Sequence, residues 1–81
     1  MKLTIQMFAV ARDLAGAASV EVEVPEGATV GDVRAALIAR VPGLAAMQKH
    51  LMFAVNADYA QDTTFVPMGA EVACIPPVSG G

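Results

Sequence analysis

The 81 residues fit one domain, since domains typically run to about 100–150 residues, with room for one small core and none for a large enclosed cofactor. Apolar residues make up 56% and charged residues 16%, against about 25% charged in a typical soluble domain, which excludes intrinsic disorder and leaves apolar surface for docking. The net charge of −3 excludes the basic stripe that nucleic acid or an anionic membrane surface would require.

No apolar run approaches the ~20 residues of a membrane span. Met7–Ala11 is too short for a secretory core before Arg12 and Asp13 interrupt it. The single cysteine cannot form an internal disulfide, so a cytoplasmic location is expected.

Along the chain, Lys2–Val10 alternates as a strand. Leu3, Ile5 and Met7 share one face, and Thr4, Gln6 and Phe8 the other, with Phe8 an aromatic among polar residues. Ala9–Leu14 is expected to form a short helical turn that stops at Gly16. Ser19–Val24 alternates again, with Val20, Val22 and Val24 inward, and Pro25-Glu26-Gly27 is a turn. The first two strands are expected to pair antiparallel. Thr29 caps a helix with Asp32 three residues on, a variant of the capping box. Val30, Val33, Leu37 and Val41 form its apolar stripe, Arg34 and Arg40 point away, and Pro42-Gly43 ends it.

A second short helix is expected over Leu44–His50 and a buried strand over Leu51–Val55. The turn Asn56-Ala57-Asp58 leads into a short strand around Tyr59, and Met68-Gly69-Ala70 turns into a last strand, Glu71–Ile75. The fold class is α+β, a mixed sheet with one long helix packed across it. If the last strand lies parallel beside the first, the helix supplies the crossover, Val72 and Cys74 face the core, and Ala73 and Ile75 join Phe8 on the other side. That places an apolar patch beside the C-terminus.

The chain closes on Pro76-Pro77-Val78-Ser79-Gly80-Gly81. Two prolines after a strand stop pairing and favour an extended path, and six residues beyond Ile75 reach about 20 Å. The expected organisation is a domain over 1–76 and a flexible tail over 77–81. Such a tail is either a frayed terminus or a thread that presents its carboxylate in a partner's active site. A carboxylate is a poor electrophile at neutral pH and becomes reactive as a mixed anhydride, typically an acyl-adenylate formed from ATP. The chain carries no phosphate-cradling loop, metal cluster or base–nucleophile pair, so activation is expected to fall to a partner.

With these residues in view, the whole chain resembles the small sulfur-carrier subunits of molybdopterin synthase (MoaD type) in the ubiquitin-like β-grasp superfamily. The matching residues are Phe8-Ala9, Ala11-Arg12-Asp13-Leu14 with Gly16, and Val24-Pro25-Glu26-Gly27-Ala28-Thr29-Val30. Ala54-Val55-Asn56 with Tyr59, Gly69 with Glu71-Val72, and the tail Pro76–Gly81 complete them. The proline-proline approach to Gly-Gly is the most specific part, since thiamine-pathway carriers generally lack it.

The resemblance implies a chain that is not an enzyme alone and binds no cofactor of its own. Gly81, next to Gly80, would be adenylated by a ubiquitin-activating-type adenylyltransferase that uses ATP, then converted to a thiocarboxylate by a sulfur donor protein. The tail would insert into the large subunit of molybdopterin synthase, within a heterotetramer, and give sulfur to cyclic pyranopterin monophosphate in molybdenum cofactor biosynthesis. Phe8, Ile75, Pro76 and Val78 would form the docking surface, with Pro77, Ser79 and Arg12 contacting the partner. No metal, nucleic-acid or membrane partner is implied.

Two departures from the family stand out: Met68-Gly69-Ala70-Glu71 replaces an acidic turn, and Ile75 stands where an aromatic is frequent. Both bear on partner affinity. Cys74 reads as a buried, inert thiol, and His50 as a surface residue without companion ligands. Arg12 fits a partner contact or a solvated surface equally, while Glu21, Glu23, Asp58 and Asp62 read as solvated. Three alternatives stay open: a carrier for thiamine or cysteine synthesis, a ubiquitin-like modifier of lysines, and a binding domain without tail chemistry.

Overall fold

The computed structural model describes residues 1–77. Chain order runs β1 (Lys2–Met7), α1 (Ala9–Ala15), β2 (Ser19–Glu23), α2 (Val30–Arg40), a 3₁₀ segment (Pro42–His50), β3 (Met52–Val55), β4 (Asp58–Ala60) and β5 (Val72–Ile75). The strands form one five-stranded sheet in the order β2-β1-β5-β3-β4. β1 pairs antiparallel with β2 and parallel with β5 at the centre, while β3 pairs antiparallel with β5 and β4. The fold is α+β, and the conditional strand order of the sequence reading is the one adopted.

Alternation places Leu3, Ile5 and Met7 of β1, Val20 and Val22 of β2, and Val72 and Cys74 of β5 on a single buried face. α2 covers that face with Val30, Val33 and Leu37, all fully buried, and Val41 extends the stripe. The capping box at the start of α2 is complete. The Thr29 hydroxyl accepts from the Asp32 N–H, and the Asp32 carboxylate accepts from the Thr29 N–H at 2.9 Å. Gly16 closes α1 in the left-handed conformation, its N–H donating to the carbonyls of Arg12 and Asp13.

Three expectations need correction. β1 ends at Met7, because Ala9, at φ 50°, turns the chain sharply into α1. The segment after α2 is a 3₁₀ helix that starts at Pro42, where the missing proline N–H costs nothing, and Leu44 is its buried anchor. Arg34 does not point away. Its guanidinium donates to the carbonyls of Leu51, at 2.8 Å, and Gln48. It also pairs with Asp62 at 2.8 Å and lies over the Phe53 ring, 5.0 Å from the centroid. One planar fork thereby ties α2 to the end of the 3₁₀ segment, to the loop after β4 and to the core aromatic. Asp62, read as solvated, is the acidic partner.

The β3–β4 hairpin turns on Asn56 (φ 50°) and Ala57 (φ 72°). Two consecutive left-handed residues define a type I′ turn, which twists with the strands and favours Asn-Gly. Asparagine tolerates this conformation, and its side-chain oxygen also accepts from the Glu71 N–H at 2.9 Å. Alanine there is strained by roughly 1–2 kcal/mol. Ala57→Gly is therefore expected to stabilise the domain by about 1 kcal/mol, read as a higher urea midpoint at unchanged slope.

Candidate functional site

The face of the sheet away from α2 carries the candidate site. Cross-strand register sets two rows on it. Gln6, Ala73, Ala54 and Tyr59 stand side by side across β1, β5, β3 and β4. In the next row Ile75 pairs with Met52, and Phe8 follows β1 on the same side. Phe8 and Met52 are each 49% exposed and Tyr59 is 65% exposed, a concentration of apolar surface that a small soluble domain rarely leaves uncovered without a partner. Over the first row lies a shallow hollow of about 180 Å³, lined by Gln6, Phe8, Ala54, Ala57, Glu71, Val72 and Ala73.

The structure brings Phe8 and Ile75 together as alternation implied. Ile75 is the last residue of β5 and half-buried; Pro76 is buried against the domain and Pro77 is exposed. The chain therefore leaves the sheet at the edge of this apolar face. Arg12 is exposed on α1, the helix that begins next to Phe8. Val78, Ser79, Gly80 and Gly81 lie outside the described residues.

Met52, Ala54 and Tyr59 belong to this face but were not recognised as site residues in the sequence. Leu51–Val55 reads as a continuously buried strand, and in such a run alternation gives no reason to expect an outward half. Only pairing with β5 shows that Met52 and Ala54 face opposite to Phe53 and Val55.

Cys74 sits on the buried face between Met7 and Phe53. Burial pushes its thiol from 9.0 up to about 11, partly opposed by the positive charge of Arg34. As the proton is held more tightly in the folded chain, the contribution of this thiol to stability is fully present well below pH 9. It declines between pH 9 and 11, where the unfolded chain ionises and the folded one does not. Native protein is expected to resist iodoacetamide at pH 8 and to react stoichiometrically once unfolded in urea. Among the described residues no group of three or more His, Cys, Asp or Glu is placed to hold a metal ion, and no helix is long and apolar enough to cross a membrane.

A mixed five-stranded sheet grasping one principal helix, with an apolar outer face beside the exit of the last strand, defines the ubiquitin-like β-grasp class. The chain belongs to the ThiS family, whose model matches residues 5–81. It is 39% identical to the molybdopterin synthase sulfur carrier subunit of Chlamydomonas reinhardtii, over 100% of both chains. It is 31% identical to the protein of that name in Arabidopsis thaliana, covering 100% of this chain and 84% of the other. Among solved structures, SAMP1 of Haloferax volcanii superposes with a TM-score of 0.86 at 31% identity over 100% of both chains. A molybdopterin converting factor subunit 1 from Pyrococcus furiosus gives 0.83 at 29% identity, over 96% of this chain and 99% of the other.

Proposed function

We propose that this chain is the sulfur carrier subunit of a molybdopterin synthase, non-catalytic alone, and that it delivers sulfur as a thiocarboxylate on Gly81. The observation that supports this most is the end-to-end match to the Chlamydomonas carrier, joined to an exit of the chain at Pro76 beside an apolar face and to the terminal sequence Val78-Ser79-Gly80-Gly81.

The chemistry requires two steps. A Gly81 carboxylate oxygen attacks the α-phosphorus of ATP on an adenylyltransferase of the ubiquitin-activating type, releasing pyrophosphate. A hydrosulfide supplied by a donor protein then adds to the acyl carbon and expels AMP, so that a C–S bond replaces the C–O bond and the C-terminus is left as a thiocarboxylate. The loaded tail, 77–81, enters the large synthase subunit, where its sulfur adds to cyclic pyranopterin monophosphate and water cleaves the acyl–sulfur bond, returning Gly81 as a carboxylate. This chain's part is steric and apolar. Phe8, Ile75, Met52 and Tyr59 seat the partner, Pro76 and Pro77 stiffen the approach, and Ser79-Gly80-Gly81 is narrow enough to thread a tunnel. ATP is bound by the activating partner and not by this chain.

Intact-mass spectrometry after incubation with ATP, the activating enzyme and a sulfur donor tests the reading. A gain equal to exchanging one oxygen for sulfur is expected, and none in a chain lacking Gly81. No gain with an activating enzyme proven on another carrier would overturn it. A second reading, a protein modifier, is favoured by the likeness to the small archaeal modifier protein 1 of Haloferax volcanii, at a TM-score of 0.82 and 29% identity. Isopeptide-linked conjugates with target lysines would select it.

A further inference from the structure

On the far side of the sheet from β4, the outer edge of β2 has no strand partner among the described residues. Met1 and Val24 exchange backbone hydrogen bonds, and the Met7 N–H donates to the Ala18 carbonyl at 2.8 Å. These two ends set the antiparallel ladder, so Val20 and Val22 direct their backbone groups at β1 while Ser19, Glu21 and Glu23 direct theirs outward. Beside this edge runs a groove of about 450 Å³, lined by Glu21, Val22, Glu23, Ala36, Ala39 and Arg40. At this wall α2 contributes the small side chains of Ala36 and Ala39, with Arg40 beside them. The other sheet edge, β4, is three residues long and offers no comparable template.

We infer that the β2–α2 groove accepts an extended segment of a partner protein as a sixth strand, with apolar and Lys or Arg residues alternating. Backbone pairing to Glu21 and Glu23 gives affinity, and the period of two assigns the side chains. One set falls on the helix side against Val22, Ala36 and Ala39 and must be apolar and of moderate size. Arg40 at that wall disfavours a basic group there. The alternate set falls on the sheet's outer face beside the exposed Glu21 and Glu23 carboxylates, which select cations. Lys2, at 4.0 Å from Glu21, is an exposed and weak competitor. A second copy of this chain is a poor occupant, since β2 against β2 sets glutamates opposite glutamates, a familiar means of protecting an edge.

The test uses the full chain, isotope-labelled, titrated with the acetylated and amidated pentapeptide Lys-Val-Lys-Val-Lys while amide NMR shifts are followed. Shifts are expected at Glu21, Glu23, Ala36, Ala39 and Arg40. The doubly substituted Glu21→Lys, Glu23→Lys chain should bind roughly tenfold more weakly, having lost two exposed charge pairs. Ala39→Trp, on an exposed helix position, should block the groove. Peptides N-methylated at alternate residues in the two possible registers distinguish strand pairing from charge attraction: one register should fail to bind. Equal binding of both would overturn the proposal. So would shifts confined to the Phe8–Ile75 face, no shifts at all, or self-association relieved by Ala39→Trp.

Discussion

Phe8→Asp is expected to weaken binding of the proposed partner, the large synthase subunit, by about 30- to 1,000-fold, the 2–4 kcal/mol carried by a central aromatic anchor, while leaving the domain as stable as before. The two effects separate because Phe8 is half-exposed on the outer face and also holds the N-cap position of α1, where it makes no side-chain cap. An aspartate at a helix start lies beside unpaired N–H groups that favour negative charge, so lost apolar contact is offset locally. In a partner's pocket the same carboxylate is buried without a counter-ion. Calorimetric titration of the two subunits, with thermal melts of each variant, checks both halves. A lowered melting temperature would reduce the binding loss to a folding artefact. Tight binding by a stable variant would show that docking uses another face.

Phe53→Ala is expected to be the most damaging single truncation, costing about 3–5 kcal/mol out of a total that is typically 5–15 kcal/mol. Phe53 is among the largest fully buried side chains and sits on β3, one strand in from the β4 edge, between Cys74 and Ala60. Its removal leaves a cavity and withdraws the ring from beneath the Arg34 guanidinium. Arg34 would keep its bonds to Leu51 and Asp62 but lose the surface that orients it. Urea unfolding measures the cost, and Phe53→Leu, which restores most of the volume, should recover more than half of it. A loss below about 1 kcal/mol would mean that the core closes over the gap.

These two residues also show how far the sequence could be read. Phe8 stands out by alternation alone, as the aromatic on the polar side of the first strand. Phe53 sits in a run whose every residue looked buried, and its opposition to Met52 and Ala54 emerged only from pairing with β5. The apolar outer face was accordingly half legible. Phe8, Ala73 and Ile75 were placed by period-two arithmetic once a parallel strand order was assumed, whereas Met52, Ala54 and Tyr59 needed the register across three strands. Pro76 illustrates the same limit, since burial of a residue after a strand depends on what that strand packs against.

By itself the sequence determined what local chemistry controls. Alternation set the inward faces of β1 and β2, the Thr29–Asp32 box started α2, its heptad-like valine and leucine spacing chose the buried stripe, and Gly16 and Asn56 marked turns. Each depends on residues within about four positions of one another, where backbone geometry alone dictates the outcome. Tertiary structure decided the rest: the parallel β1–β5 centre, the inward folding of Arg34 onto Leu51, Phe53 and Asp62, and the outer edge of β2 beside Ala36 and Ala39 of α2. Arg34 and Leu51 are 17 positions apart and the β1–β5 partners Ile5 and Val72 are 67 apart, and no local period encodes which distant partner a strand or a guanidinium will meet.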